Sequence, residues 1–329
     1  MSLLQLRNVK TNDIVDNKSK ALLLKNTDDL VLEVDPKFHS AKWDTEPKQS
    51  IKELHRLRAE QIRQTYDYVV LYFSGGADST TVLNAFVDNN IPIDEVIVYV
   101  NTDAENNPIV GGSYALKYLK EINYKGLVTV VDLNFDVLAK IIAGGTWQSY
   151  GSFSGLLHSF YRFRIDFYEK NRYISTLIRR KGKIAHIFGG VFPKIEKIDG
   201  ELYSSISINA FMLSSTDPEN VQFFTTADMP DIHIKHSYLL AKSYDEKLEP
   251  ESRSYKLLIR DPYYEELDIS KNGGRTKLDE TQHGHHNMLY RLYESRDIFI
   301  HKYERVLYHF NRKDVANLDD FKALYKIGV

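Results

Sequence analysis

The sequence predicts an α/β fold in which a parallel sheet carries helices on both faces. Short apolar runs of strand length recur between residues 66 and 188, and segments with helical spacing separate them. Strands that alternate with helices favour parallel pairing through right-handed crossovers. A glycine pair follows the first run and another follows the fourth, where ligand-binding turns fall in such sheets.

Residues 1–50 are polar apart from Ala21–Leu24 and Leu30–Val34, and Asp35–Ser50, with two prolines, reads as an extended connector. Ser50 is placed to cap a helix over Ile51–Thr65, where Ile51, Leu54, Leu57 and Ile62 recur at helical spacing. Tyr66–Phe73 (YDYVVLYF) is the first strand, continuously apolar as a buried parallel strand requires. A helix follows over Ala77–Asn89, then a strand at Glu95–Val100, a helix at Gly112–Ile122 and a strand at Leu127–Val131. Phe135–Ile142 and Leu156–Arg180 read as helices around a glycine-rich break at 144–155, and Lys183–Phe188 is the fourth strand. Beyond residue 195, Leu202–Phe211 and Gln222–Thr226 fit short strands or helix. His286–Phe310 reads as a long helix and Leu318–Ile327 as a last one. The chain therefore divides into an N-terminal extension (1–65), an α/β domain (66–195) and a mostly helical C-terminal substrate or lid region (196–329).

Composition narrows the chemistry. The net charge of −2 gives no overall pull toward nucleic acid or membrane. The absence of cysteine excludes disulfides, cysteine zinc sites, iron–sulfur clusters and a thiol nucleophile. No apolar stretch reaches the length of a signal peptide core or a membrane span, so a cytoplasmic protein without a membrane partner is expected.

The run Ser74-Gly75-Gly76-Ala77-Asp78-Ser79, followed by Thr80, lies between a buried strand and a helix. Two adjacent glycines let backbone N–H groups approach an anion and make φ > 0 available. The helix beginning near Ala77 directs its positive end at the same point. Ser74, Ser79 and Thr80 add hydroxyls, and Asp78 either caps the helix or reaches a bridging Mg²⁺. The pattern ends in neither Gly-Lys-Ser/Thr nor Gly-x-Gly-x-x-Gly, so it is not a Walker loop or a dinucleotide turn. It reads as a pyrophosphate cradle.

These residues resemble the PP-loop (N-type) ATP pyrophosphatase superfamily, the adenine nucleotide alpha hydrolase-like proteins, whose signature is Ser-Gly-Gly-x-Asp-Ser after the first strand. The resemblance spans about residues 66–195 and is strongest to the phosphoadenylylsulfate reductase-like and asparagine synthetase-like branches. It implies a Rossmann-like (HUP-type) sheet and binding of ATP with Mg²⁺. It further implies transfer of AMP to an acceptor with release of pyrophosphate. Residues 74–80 would bind ATP, and Asp78 would act as metal ligand and catalytic residue. The segment Asn101-Thr102-Asp103-Ala104-Glu105-Asn106-Asn107-Pro108 partly matches an Asp-Thr-Gly-x-Glu-Phe-Pro stretch beside the nucleotide, and a polar strand-end loop explains it equally. Gly189 and Gly190 fall where the family places a loop against the α-phosphate, and the nearby Lys194 is a candidate catalytic cation for the departing pyrophosphate.

Without cysteine, the sulfur-transfer, reductase and built-in glutaminase branches are excluded. Ammonia, if it is the nucleophile, comes free or from a separate subunit. The acceptor is a small molecule or a nucleic acid. A basic, aromatic segment from Arg162 to Lys183 suits a phosphate-rich partner, while a solvated helix face explains the same residues. His283, His285 and His286, with His233 and His236 upstream, fit a metal site, a lid over the nucleotide or an ordinary loop entering a helix. The alternative to an enzyme is an ATP-binding sensor or scaffold with the same fold.

Overall fold

The computed structural model describes residues 3–15, 29–102, 108–109, 112–132, 182–188, 193–207, 220–242, 244 and 321–328. Among the described residues, buried apolar side chains form two large cores and a smaller cluster.

The larger core belongs to a parallel sheet. Its strands are β4 (Tyr68–Tyr72), β5 (Glu95–Thr102), β7 (Val128–Asp132), β8 (Ile184–Phe188) and β11 (Asn220–Gln222). Across the sheet they run β7-β5-β4-β8-β11, all parallel. In chain order that is 3-2-1-4-5, the doubly wound arrangement, which reverses direction between β4 and β8. The antiparallel β6 (Pro108–Ile109) pairs only with the end of β5, at Asn101 and Thr102. An α/β Rossmann-like fold is therefore present.

Alternate residues of each strand face opposite ways, so one face presents Val69, Leu71, Phe73, Val96, Val98, Ala185 and Ile187. Against them pack α2 (Ile51–Thr65), α3 (Ala77–Val87) and α4 (Gly112–Glu121), through Ala59, Ile62, Val82, Leu83, Phe86, Ala115 and Leu119. The other face presents Val70, Tyr72, Ile97 and Ile184. The helices expected at Phe135–Ile142 and Leu156–Arg180 lie outside the described residues.

Helix α2 starts where Ser50 accepts the Glu53 N–H, a cap from Ser three positions before Glu. Its buried positions Ile51, Leu54, His55, Arg58, Ala59 and Ile62 repeat at three and four residues. It is not part of a detached extension, because Ala59 and Ile62 sit in the sheet's own core. The buried Arg58 ties it to the end of β11 by donating to the Gln222 carbonyl at 2.6 Å. The sheet likewise continues past the boundary placed at residue 195, since β11 completes it.

The second core joins the two ends of the described chain. β1 (Leu4–Asn8), β2 (Ile14–Val15) and β3 (Leu30–Val34) form one antiparallel sheet, and β9 (Lys194–Ile198), β10 (Glu201–Ser207) and β12 (Lys322–Lys326) form another. Leu4, Leu6, Ile195, Ile206, Tyr325 and Ile327 share this core with α5 (Pro230–Lys242), which contributes Ile234, Tyr238 and Leu240. The Asp35–Ser50 stretch is not simply extended. Pro36–His39 forms a short helix, α1, capped by Asp35, and Phe38 and Trp43 insert into the core.

The helix expected over Leu318–Ile327 is corrected to a strand at Lys322–Lys326. Tyr325 and Ile327 are buried, while Leu324 and Lys326 point to solvent, a period of two that only a strand satisfies. Pairing with β10, more than a hundred residues away in the chain, decides the outcome. The C-terminal region is accordingly strand-rich where it is described. The long helix expected over His286–Phe310 lies outside the described residues.

Candidate functional site

Strand β4 delivers the chain to the carboxyl edge of the sheet. Phe73 is still buried, its N–H donating to the Ile97 carbonyl at 2.8 Å, and Ser74 then emerges into solvent. Gly75 adopts φ +70, the left-handed region that a side chain disfavours. A Cβ there would also lie 2.7 Å from the backbone nitrogen of Ala115 and 2.9 Å from its Cα. Gly75 is thus required twice, for its dihedral angle and for the close approach of α4. Gly76 is the N-cap of α3 and offers no side-chain cap of its own.

The serine hydroxyls shape the turn. Ser79 Oγ donates to the Gly76 carbonyl at 3.1 Å and accepts the Ser74 N–H at 3.3 Å. Ser74 Oγ lies 3.1 Å from Ser79 Oγ and accepts the Gly76 N–H at 3.3 Å. The Thr80 N–H closes the first helical bond to the Gly76 carbonyl at 2.9 Å. Ser79 and Thr80 are 3% and 6% exposed, and the Ser79 hydroxyl serves the frame of the loop. Ser74 is exposed, and Asp78 is half-buried in the first turn of α3.

Position follows from the strand order. The loop leaves β4 directly beside β8, at the point where the sheet reverses, the crevice in which open α/β sheets gather ligands. The N-terminal end of α3 directs its dipole and backbone N–H groups to the same edge. The arrangement suits a polyanion. Asp78, half-buried in the first turn of α3, is the carboxylate that residues 74–80 carry.

The other expected site residues separate into those near this edge and those elsewhere. Asn101 and Thr102 end β5, with their backbones paired to Ile109 and Pro108. Asp103–Asn107, Gly189 and Gly190 lie outside the described residues. Lys194 instead opens β9 in the second antiparallel sheet, where it is exposed, pairs with Ser205 and acts electrostatically on Glu196. Of the basic segment, Lys183 is described, and its N–H donates to the Asp67 carboxylate at 2.8 Å. Residues 162–181 and His283–His286 are outside the described residues.

His233 and His236 do not face outward to a metal. Both are fully buried on α5. The His233 ring bridges Thr225 Oγ1 at 2.8 Å and Ser204 Oγ at 3.2 Å, and His236 Nε2 lies 3.1 Å from His55 Nε2. Burial pushes the pKa of His55 and of His233 down to about 3, so both rings are neutral at physiological pH. Among the described residues no group of three or more His, Asp or Glu side chains is arranged to hold a metal.

Two contributors escaped the sequence reading: the Tyr114–Ala115 backbone behind Gly75, and Tyr118, whose hydroxyl donates to Asn84 Oδ1 of α3 at 2.8 Å. Set against known proteins, no family model and no curated protein matches the chain.

Proposed function

We propose that the chain binds Mg·ATP at residues 74–80 and cleaves it between the α- and β-phosphates, transferring AMP to an acceptor. The observation that carries this reading is the turn at Gly75, left-handed, and Gly76 at the reversal point of the sheet, directly before the N-terminus of α3. The resemblance of Ser74–Ser79 to the PP-loop signature names the bond broken, and with it the HUP-type variant of the fold.

In this reading the Gly75 and Gly76 amides and the first turn of α3 hold the β- and γ-phosphates. An acceptor oxygen attacks the α-phosphorus, the bond to the bridging oxygen breaks, and pyrophosphate departs with the electron pair. The amides and helix dipole stabilise the charge that builds on the leaving group. Asp78 holds the Mg²⁺ that neutralises the phosphates. Ser74 and Ser79 act by keeping the turn in shape. The chain has no cysteine, so the nucleophile that later displaces AMP is not a thiol of this protein. Basic residues between 162 and 183 support a nucleic-acid acceptor as readily as a small molecule, and binding that weakens steeply with salt would select the former.

The test is product analysis with α-labelled ATP, Mg²⁺ and a mixture of small metabolites and tRNA. Labelled AMP or an AMP adduct, with unlabelled pyrophosphate, is expected. Labelled ADP would contradict the reading. Tight ATP binding with no AMP under any condition would replace the enzyme by a nucleotide sensor.

A further inference from the structure

Helix α4 touches the loop's surroundings at three points. Its first turn lies against Gly75, with Ala115 fully buried. The Tyr118 ring meets the ring of Phe73, the residue just before the loop, at a centroid distance of 6.0 Å. The Tyr118 hydroxyl donates to Asn84 Oδ1, on the helix just after the loop, at 2.8 Å. One side chain thus holds the chain on both sides of residues 74–76, and the backbone of its own helix fills the space behind Gly75. Asn84 lies seven residues into α3, roughly 10 Å below the loop at helical rise. It grips the helix well away from any bound phosphate. α4 also follows β5 and β6 in the chain.

We propose that Tyr118 is a positioning residue for the phosphate loop: through Asn84 and Phe73 it fixes α3 and β4 against α4 so that Gly75 keeps its left-handed, anion-ready conformation. This rests on the ATP reading above. Glycine reaches this dihedral without steric cost but reaches many others as readily, and the packing of Ala115 holds it there only while α4 stays in place. Loss of the Tyr118–Asn84 bond loosens the loop without removing any group that touches ligand.

The experiment has two arms. In the first, amide hydrogen exchange is followed on residues 74–80 of the nucleotide-free protein. Tyr118→Phe keeps the ring and removes the hydroxyl, and it is expected to speed exchange there while the rest of the sheet exchanges at the wild-type rate. In the second, KM for ATP should rise about three- to tenfold in Tyr118→Phe with kcat changed less than twofold, the scale of one hydrogen bond. Asn84→Ala should match it, and the double variant should be no worse. A fall in melting temperature with unchanged loop exchange and unchanged KM overturns the proposal and leaves Tyr118 a packing residue. Wild-type protein that binds no ATP overturns the proposed function instead, and the exchange arm then decides the brace alone.

Discussion

Gly75 concentrates most of the site's physical constraint in one residue. Its φ of +70 and the 2.7 Å that would separate a Cβ from the Ala115 nitrogen are independent reasons against any side chain. Gly75→Ala is therefore expected to displace α4 or the loop and to cost about 1–3 kcal/mol of stability, read as a lowered urea midpoint. Ser79→Ala removes the donor to the Gly76 carbonyl and the acceptor of the Ser74 N–H, both at a buried position, and should cost about 1–2 kcal/mol. Residue chemistry also sets a pH response. His55 and His233 are held neutral in the folded chain with pKa values near 3, while in the unfolded chain they titrate near 6.5. The unfolded state then binds more protons below about pH 6.5, so this contribution to stability is complete above that pH and falls as the pH drops toward 3. His233→Gln should weaken the fold at pH 7.5, because the Thr225 and Ser204 hydroxyls lose their ring partner. Its stability curve between pH 6 and 5 should be flatter than wild type by about 1.4 kcal/mol per pH unit. Parallel curves from urea titrations would show that His233 is not the titrating group.

At the scale of elements, what was legible followed from whether the forces are local. Helix α2 was readable to its ends, Ile51 and Thr65, because its Ser50 cap and its apolar spacing both lie within its own residues. β4 and β8 were readable because a parallel strand buried on both faces is apolar at nearly every position. The turn between β4 and α3 was legible from its adjacent glycines, but the burial of Ser79 was not, since it depends on packing rather than on the motif. β12 was misread because Ala323, Leu324 and Tyr325 fit either period over so short a run, and β10 supplies the choice from far along the chain. Tyr325 gives the expected cost of losing that strand's anchor: it stacks on Trp43 at 3.9 Å and is 6% exposed. Tyr325→Ala should destabilise the second core by about 3–5 kcal/mol in denaturant titrations, the usual penalty for deleting a buried aromatic ring. A loss under 1 kcal/mol would mean that β12 frays without consequence.

For the whole molecule, strand order sets where the loop motif lies. Alternation of strand and helix predicted a parallel sheet, yet it contained no information on which strands are neighbours. The 3-2-1-4-5 order, with β4 beside β8, places the Gly75 turn at the reversal point of the sheet. The second core was invisible for the same reason, because Leu4 and Leu6 meet Tyr325 and Ile327 only through the fold. Both cores meet at α5, where His236 touches His55 of α2, so the antiparallel sheets are anchored to the helix layer of the parallel one. The proposed function requires the turn at Ser74–Thr80 to be a nucleotide phosphate site. Calorimetric titration of Mg·ATP into the wild-type chain and into Gly75→Ala, at a temperature where both remain folded, tests it most directly. Saturable one-to-one binding to the wild type that is lost in Gly75→Ala is the predicted result. Absence of binding to the wild type, or equal affinity in the two proteins, would contradict it.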